Sequence, residues 1–367
     1  MMDFRRKTLV ILGAAAFVSV ALSGLVLYQR ARQGTPQFTP TEFLPGFAAN
    51  VKNAASIHIV GSEGAFDVVF SEGKGWLLPD RGNYPADFDE VRHTLIGIAT
   101  LETLGPKTAR PDWLRYLGLE TPPKGPGVSI IVKDAKGAVL ADLIAGNMQP
   151  LGDPGGTSGL FVRRPGENQT WLARAVFVPH GNITAWLKAQ VLDIGAARLE
   201  EVAVTPASGP AFTVSRPSPG IQVYSLLNPP RNGTPNSQFV NVIPYAVTNF
   251  SIVDVKPAAS VDFSKSSRVI ARTFEGLLVT FDLTEQGEDV WAKLTASTAP
   301  GASPQTVKEA EDINTRNAGW AFKLPTDKGR ALTSDLARVM TAAPAASPFE
   351  GMSAQDLQGL AARGITP

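Results

Sequence analysis

Apolar positions follow two different periods in the stretch from residue 73 to residue 104. The run 76–78, Trp-Leu-Leu, is typical of a strand, and residues 79–83 have turn composition. Asp87, followed three residues later by Glu90, has the form of a capping box. Apolar residues then recur at helical spacing: Phe88, Val91, Leu95 and Ile98. We therefore predict strand, turn, capped helix and strand, with one apolar stripe of the helix facing a core.

The same logic extends to both sides of this stretch. Alternating apolar residues predict strands over residues 57–60 and 66–70 before it. After it, the pattern predicts a helical turn in 111–123, a hairpin of 128–132 with 138–144, strands over 160–163 and 171–178, and a short helix over 183–191. Residues 151–159 are rich in glycine, but a strand follows them where a phosphate-binding loop would open a helix, so we predict a plain loop.

Near Leu199 the pattern restarts, and its apolar positions echo those of the first part at a slowly drifting offset. Ile57 and Ile59 are echoed by Val202 and Val204, and the hairpin containing Asp142 is echoed by one containing Asp282. Further pairs are Phe66 with Phe212, Val68 with Val214, Trp76 with Tyr224, Val91 with Val240, Leu101 with Phe250 and Lys107 with Lys256. A duplication with small insertions leaves such a pattern, so we predict an α+β protein with two tandem, duplicated β-rich units.

The second copy is not identical to the first. Its predicted helix, residues 237–250, contains Pro244, which removes a backbone donor and should kink or shorten the helix. Beyond residue 298 we predict a polar helix over 304–316, a strand over 319–324 and a helix over 332–340. The predicted organisation is listed by range: 1–33 cytoplasmic tip and transmembrane anchor, 34–50 tether, 51–196 first unit, 197–298 second unit, 299–340 helix and strand extension, and 341–367 flexible tail.

The N-terminal sequence predicts where in the cell the protein is located. Arg5-Arg6-Lys7 precede an apolar run, residues 9–27, which is long enough to cross a bilayer core of about 30 Å as one helix. The basic residues before the run outnumber Arg30 and Arg32 after it, which favours a cytoplasmic N-terminus. We expect a single-pass inner-membrane protein with most of its chain in the periplasm. A cleaved signal peptide, with Ala21 and Ser23 as its small residues, is the alternative.

Composition narrows the function classes. A hydrophobic share of 44% and a charged share of 18% are typical of globular proteins. The net charge of +1, with acidic and basic residues interspersed, argues against nucleic acid as a partner. The chain has no cysteine, which removes disulfides, thiolate nucleophiles and thiolate metal ligands.

Candidate chemistry is sparse. The histidines His58, His93 and His180 do not have metal-ligand spacing, and the sequence contains no nucleophile motif. Asp87, Asp89, Glu90 and His93 form the densest polar cluster, which can be an acid/base group or a helix first turn that complements the dipole. The six tryptophans are expected in the core, with a binding groove as the alternative. We predict no catalytic, cofactor or metal residues.

An ordered series of motifs carries a family resemblance. Trp76 is followed by Tyr84-Pro85-Ala86-Asp87, then by the run 117–122, Leu-Gly-Leu-Glu-Thr-Pro, and by the run 159–163, Gly-Leu-Phe-Val-Arg. Over roughly residues 55–294 the chain resembles the bacterial domain-of-unknown-function 4340 family. The resemblance implies a single-pass envelope protein, often encoded beside a gliding-motility-type ABC transporter as an auxiliary component. It implies no catalytic residues.

We therefore expect a non-enzymatic, membrane-anchored auxiliary or scaffold component of an ABC-type transport system, with transporter membrane subunits or other envelope proteins as its partners. One alternative is a periplasmic enzyme or carbohydrate-binding protein with an acidic cleft. A second alternative is a structural envelope protein.

Overall fold

The computed structural model describes residues 18–20, 22–24, 38–152, 157–231, 233–248 and 250–341. Residues 18–20 and 22–24 are helical. The rest of the predicted anchor, part of the predicted tether, the middle of the glycine-rich loop and nearly all of the predicted tail lie outside the described residues. Within the described ranges, none of the helices has the length and apolar character that crossing a membrane requires.

The first unit is built on a ten-stranded antiparallel sheet. Its strands are β1 (Thr41–Glu42), β2 (Ala54–Gly61), β3 (Gly64–Ser71), β4 (Gly75–Leu78), β5 (Tyr84–Pro85), β6 (Glu102–Pro106), β7 (Val128–Asp134), β8 (Val139–Pro150), β9 (Ser158–Arg163) and β10 (Thr170–Ala175). From edge to edge the order is β1-β6-β10-β9-β8-β7-β2-β3-β4-β5. Helix α1 (Phe47–Asn50) precedes β2, and helix α2 (Phe88–Ala99) joins β5 to β6. The predicted strand, turn, helix and strand are thereby confirmed.

The second unit is built on an eight-stranded sheet. Its strands are β12 (Leu199–Thr205), β13 (Phe212–Ser215), β14 (Ser225–Leu226), β17 (Asp254–Pro257), β18 (Ser267–Thr273), β19 (Leu277–Gln286), β20 (Asp289–Thr298) and β21 (Trp320–Lys323). Their order is β14-β13-β12-β18-β19-β20-β21-β17. Two short pairs accompany it: β11 (Gln190–Leu192) with β16 (Phe250–Ser251), and β15 (Thr234–Pro235) with β22 (Met340–Thr341). Its helices are α3 (Ser237–Val247), α4 (Pro304–Asn317), α5 (Thr326–Leu332) and α6 (Leu336–Val339).

Five short 3₁₀ helices complete the description of these ranges. They span Val51–Asn53, Pro79–Arg81, Pro111–Leu117, Ile183–Trp186 and Ala258–Ser260.

Period-two alternation determines which face of each sheet is buried. In β2, Ile57 and Ile59 have no exposed surface, whereas His58 between them is partly exposed. The largest cluster of buried apolar residues continues from the first sheet into the second and includes Trp186, Phe250, Phe281 and Phe322. The two units therefore share one core.

The units also meet through specific side chains at the β5 edge of the first sheet. Tyr84 packs edge-on against Trp320, with ring centroids 5.2 Å apart. Arg81 forms a bidentate ion pair with Asp254, and both side chains are about three quarters buried. This edge is opposite the β1 edge in the strand order.

Part of the range predicted as a tether is folded. Strand β1 pairs with β6, Phe43 is fully buried, and Phe47 is 2% exposed. Arg164 donates a hydrogen bond to the Phe43 carbonyl oxygen and lies over its ring. Residues 41–50 therefore belong structurally to the first unit.

Several predicted boundaries differ from the structure. Strand β10 ends at Ala175, and the predicted helix 183–191 is a 3₁₀ turn followed by β11. The predicted helix 332–340 is wrong, because α5 ends at Leu332 and α6 is a separate short helix. Pro244 does not end α3, which continues to Val247. The range 299–340 contributes β21, which pairs with both β17 and β20 inside the second sheet.

Candidate functional site

Asp87 begins the helix α2, as the sequence predicts. Its Oδ1 accepts hydrogen bonds from the backbone N–H groups of Asp89 at 2.9 Å and Glu90 at 3.4 Å. The Glu90 side chain does not complete a capping box, because the backbone N–H of Asp87 donates to the Trp186 carbonyl oxygen. Val91, Leu95 and Ile98 of the predicted stripe are buried, but Phe88 is 63% exposed. Asp87 therefore has a structural role at this helix end.

Glu90 instead faces His180, ninety residues away in the sequence. The distance from Glu90 Oε1 to His180 Nδ1 is 3.0 Å, and the Glu90 side chain is 17% exposed. Thr94 also donates to Glu90 Oε1, and Trp186 Nε1 donates to the His180 carbonyl oxygen at 3.0 Å. The carboxylate and imidazole are thus held together from both sides. Sequence reasoning did not pair them, since nothing local relates the two positions.

Glu90, His93 and His180 line one groove of about 530 Å³. Its other wall is apolar and includes Met148, Phe177 and Val178. The ring of Phe177 lies against Gly97 of α2, where a Cβ atom would not fit. The groove therefore combines a carboxylate–imidazole pair with an apolar wall. Among the described residues, no three histidine or acidic side chains are placed to hold a metal ion.

Asp87 and Asp89 line a different cleft, of about 750 Å³. This cleft contains Trp76 and Phe88 from the first unit and Arg316 from helix α4 of the second unit. The Phe70 ring packs edge-on against Trp76, with centroids 5.6 Å apart. The polar cluster predicted as one group therefore divides between two concave surfaces on either side of the α2 N-terminus.

The tryptophans mostly follow the core prediction. Trp186 and Trp291 are buried, and Trp76, Trp171 and Trp320 are partly buried against the core. Trp113 is 48% exposed. The remaining histidine, His58, pairs with Asp67 on the neighbouring strand at 2.8 Å and lines neither concave surface.

Among the described residues, two buried side-chain polar atoms have no hydrogen-bond partner, Asp142 Oδ1 and Trp171 Nε1. Burial raises the pKa of the Asp142 carboxyl. Asp142 lies in β8 and lines neither the groove nor the cleft.

Comparison with known proteins yields one result. No curated protein and no solved structure matches the chain. The family model described as domain of unknown function (DUF4340) matches residues 76–265. This range is a little more than half of the chain, and it begins at Trp76 in β4 and ends just before β18. The chain therefore belongs to the DUF4340 family.

Proposed function

We propose that this protein is a non-enzymatic, membrane-anchored envelope protein that serves as an auxiliary or scaffold component of an ABC-type transport system. Its two units lie in the periplasm, and residues 9–27 anchor it in the inner membrane. The apolar run with its flanking basic residues supports the anchor, and the family resemblance supports the transporter.

The observation that carries the proposal is the outward face of helix α3. Its inward residues are buried in the core, as expected for a surface helix. Beyond Ser237 and Gln238 in its first turn, its exposed residues are apolar or aromatic: Phe239 is 38% exposed, Val242 is 42% exposed and Tyr245 is 72% exposed. Helix α4, by contrast, presents charged residues such as Lys308 and Glu311 outward. A helix that is apolar on both sides commonly contacts a partner.

The apolar surface extends beyond the helix. Ile221, Val223 and Leu227 are each more than 40% exposed. The backbone N–H of Tyr224 donates to Asn241 Oδ1 at 2.8 Å, which holds this segment against α3. We name the exposed side chains of this region the α3 face: Ile221, Val223, Leu227, Phe239, Val242 and Tyr245. An apolar surface of this kind fits an apolar segment of a transporter membrane subunit.

The test is site-specific crosslinking of the full-length chain in cells. A photo-reactive residue replaces Tyr245 on the α3 face, and a matched control replaces Glu311 on α4. We expect position 245 to capture the permease subunit of a transporter, and position 311 to capture it much less. Crosslinking of position 245 only to other envelope proteins would favour the structural-envelope alternative and contradict the transporter proposal.

A second candidate function is favoured by the cleft at Trp76. An aromatic side chain flanked by Asp89, Gln190 and Arg316 is a common arrangement for binding a sugar, because the ring stacks on the sugar face while polar groups bind its hydroxyls. This candidate is a carbohydrate-binding protein. Titration of the purified chain with soluble peptidoglycan fragments tests it by tryptophan fluorescence, with Arg316→Gln as the variant that lowers affinity. Unchanged fluorescence at saturating ligand would reject it.

We also infer that the two units arose by duplication. Ile57 pairs with Val68 and Ile59 with Phe66 in the first unit. Val202 pairs with Val214 and Val204 with Phe212 in the second, so the predicted equivalents occupy the same register. The strand orders support the same inference: β6-β10-β9-β8-β7-β2-β3-β4 in the first sheet corresponds to β17-β21-β20-β19-β18-β12-β13-β14 in the second. Aligning the two halves of related sequences separately tests it.

A further inference from the structure

We propose that the segment 110–117 is a lipid-contacting element that rests on the surface of the bilayer in which the chain is anchored. This inference rests on the anchorage stated in the proposed function. The segment, which we name the aromatic turn, contains the 3₁₀ helix Pro111–Leu117 and the preceding Arg110.

The aromatic turn is fixed on the first unit by two apolar residues, Leu114 and Leu117. Leu114 is 9% exposed and packs with Leu119 and Ile144 in a small cluster separate from the main core. Gly118 ends the 3₁₀ helix with a φ of 66°, which the absence of a Cβ atom permits. Leu114 and Leu117 therefore hold the turn, whereas Trp113 and Tyr116 are exposed.

The outward side chains are large and aromatic. Trp113 is 48% exposed and Tyr116 is 64% exposed, and their rings are 6.4 Å apart in an edge-on arrangement. The Arg110 guanidinium lies 5.2 Å from the Trp113 ring centroid, and that of Arg115 lies 4.7 Å from the Tyr116 centroid. Two aromatic rings and two guanidinium groups thus form one exposed surface, on which Arg110 also pairs with the Asp112 carboxylate at 2.9 Å.

This combination matches the chemistry of a lipid headgroup region. Indole and phenol rings have an apolar body and a polar tip, and they concentrate at the interface between the hydrocarbon and water. Guanidinium groups donate hydrogen bonds to phosphate oxygens. Between residues 107 and 124 the basic side chains are Lys107, Arg110, Arg115 and Lys124, and the acidic ones are Asp112 and Glu120. These side chains give the region a net charge of +2, which favours contact with the headgroups of anionic lipids.

The location of the turn favours the bilayer over a soluble partner. Phe38, which starts the main described range, lies against Trp171 of β10 with ring centroids 5.9 Å apart. Trp171 pairs with Pro106, the last residue of β6, and the chain continues from there into the aromatic turn. Residues 28–37 connect Phe38 to the end of the apolar run and span at most about 35 Å when extended. The anchored bilayer is therefore within reach of this edge.

The sheet also separates the aromatic turn from the second unit. The turn packs on β8 through Leu114 and Ile144, and β8 is separated from β5 by five inter-strand steps of about 4.8 Å, or about 24 Å measured along the sheet. The second unit contacts the first at the β5 edge, through Tyr84 and Arg81. A label on the second unit therefore serves as a control for lipid contact at the aromatic turn.

The absence of native cysteine makes the test direct. Single cysteines replace Ala109 beside the aromatic turn, Glu288 in the turn between β19 and β20, and Ala16 in the apolar run, each in the full-length chain. Each variant is labelled with an environment-sensitive fluorophore and reconstituted in vesicles of phosphatidylcholine and phosphatidylglycerol, with a quencher carried on the lipid. We expect quenching at position 16, clear quenching with a blue shift at position 109, and little at position 288.

A double variant, Trp113→Ser with Tyr116→Ser, should abolish most of the quenching at position 109 and leave that at position 16 unchanged. Since Trp113 is 48% exposed and Tyr116 is 64% exposed, the urea unfolding curve of the double variant should shift only slightly from that of the parent chain. Quenching at position 16 without quenching at position 109 would overturn the lipid contact while leaving the anchor intact. Equal quenching at positions 109 and 288 would also overturn it, and no quenching at any position would contradict the anchor itself.

Discussion

At the scale of single residues, Asp87 shows how a polar cluster acquires a structural role. Its carboxylate accepts two backbone hydrogen bonds at the start of α2. We expect Asp87→Ala to lower the free energy of unfolding by about 1 kcal/mol, and Asp87→Asn to lower it less, because Asn also caps helices. Urea unfolding of both variants measures the difference. An equal loss for Asn and Ala would mean that the charge, and not the cap, is what stabilises the helix.

Replacing Asp142 should change the free energy of unfolding in the opposite direction, as an increase. Its Oδ1 is buried without a partner, and burial raises its pKa above the ordinary value of 3.8. The protonated carboxyl is therefore favoured by folding, so the stability it contributes is present below the ordinary pKa and is lost as pH rises through the raised one. At neutral pH we expect Asp142→Asn to stabilise the protein by about 1 kcal/mol. The gain should shrink as the pH approaches 3.8.

Asp282 provides the matched control for Asp142. It occupies the corresponding predicted hairpin of the second unit, but Arg268 contacts it at 2.8 Å and Lys293 at 3.7 Å. Because its charge is compensated, Asp282→Asn should give no gain at neutral pH. A similar gain for both variants in urea unfolding would contradict the explanation by unpaired burial.

The same residues show what sequence can predict at this scale. The Asp87 cap was predictable because capping depends on residues within one turn. The Glu90–His180 contact was not, because it is formed by the fold and not by local spacing. Phe88 fits the helical stripe but lies in the first turn, where the helix faces the cleft and not the core. Local patterns therefore predict caps and stripes, and tertiary packing decides their exceptions.

At the scale of elements, we expect the segment with Phe43 and Phe47 to contribute strongly to stability, so that truncating the Phe43 side chain lowers the free energy of unfolding by several kcal/mol. Phe43 has no exposed surface, and its carbonyl oxygen and ring are both contacted by Arg164. We expect Phe43→Ala to lower the free energy of unfolding by about 3–5 kcal/mol. Phe38→Ala, at a site that is 36% exposed, should cost much less. Urea unfolding of both variants in the full-length chain tests whether this segment belongs to the fold.

Strands and helices were predicted more accurately where their apolar residues recur with a regular period. The strands β2, β3 and β7 were predicted close to their observed bounds, whereas β8 continues six residues beyond its predicted end to Pro150. The tether prediction relied on proline content, which does not reveal that Phe43 and Phe47 reach the core. The proposed duplication aligned the two hairpins by Asp142 and Asp282. In the structure, Leu143 lies opposite Ile130 and Phe281 lies opposite Val269, so Leu143 corresponds to Phe281. The alignment by aspartates is therefore displaced by two residues, and a displacement of two keeps each side chain on the same face of its sheet.

At the scale of the whole molecule, the two units are joined by a continuous core and by an ion pair at the β5 edge. Arg81 and Asp254 are held at 25% and 22% exposure, so their attraction is screened less than that of a surface pair. In a double-mutant cycle with Arg81→Ala and Asp254→Ala, we expect a coupling free energy of about 1–2 kcal/mol. The exposed pair Arg92–Asp89, at 47% and 71% exposure, should give less than about 0.5 kcal/mol.

The shape of the urea unfolding curve shows whether the two units unfold together or separately. Because Tyr84, Trp320 and Phe322 pack across the junction, unfolding of either unit exposes apolar surface of the other. We therefore expect one cooperative transition for the chain, and Trp320→Ala should shift the whole transition to lower urea concentration. If the variant shifted only one of two separate transitions, the units would be independent and the junction would be a contact between domains. Tryptophan fluorescence and far-ultraviolet circular dichroism, followed in the same titration, distinguish the two cases.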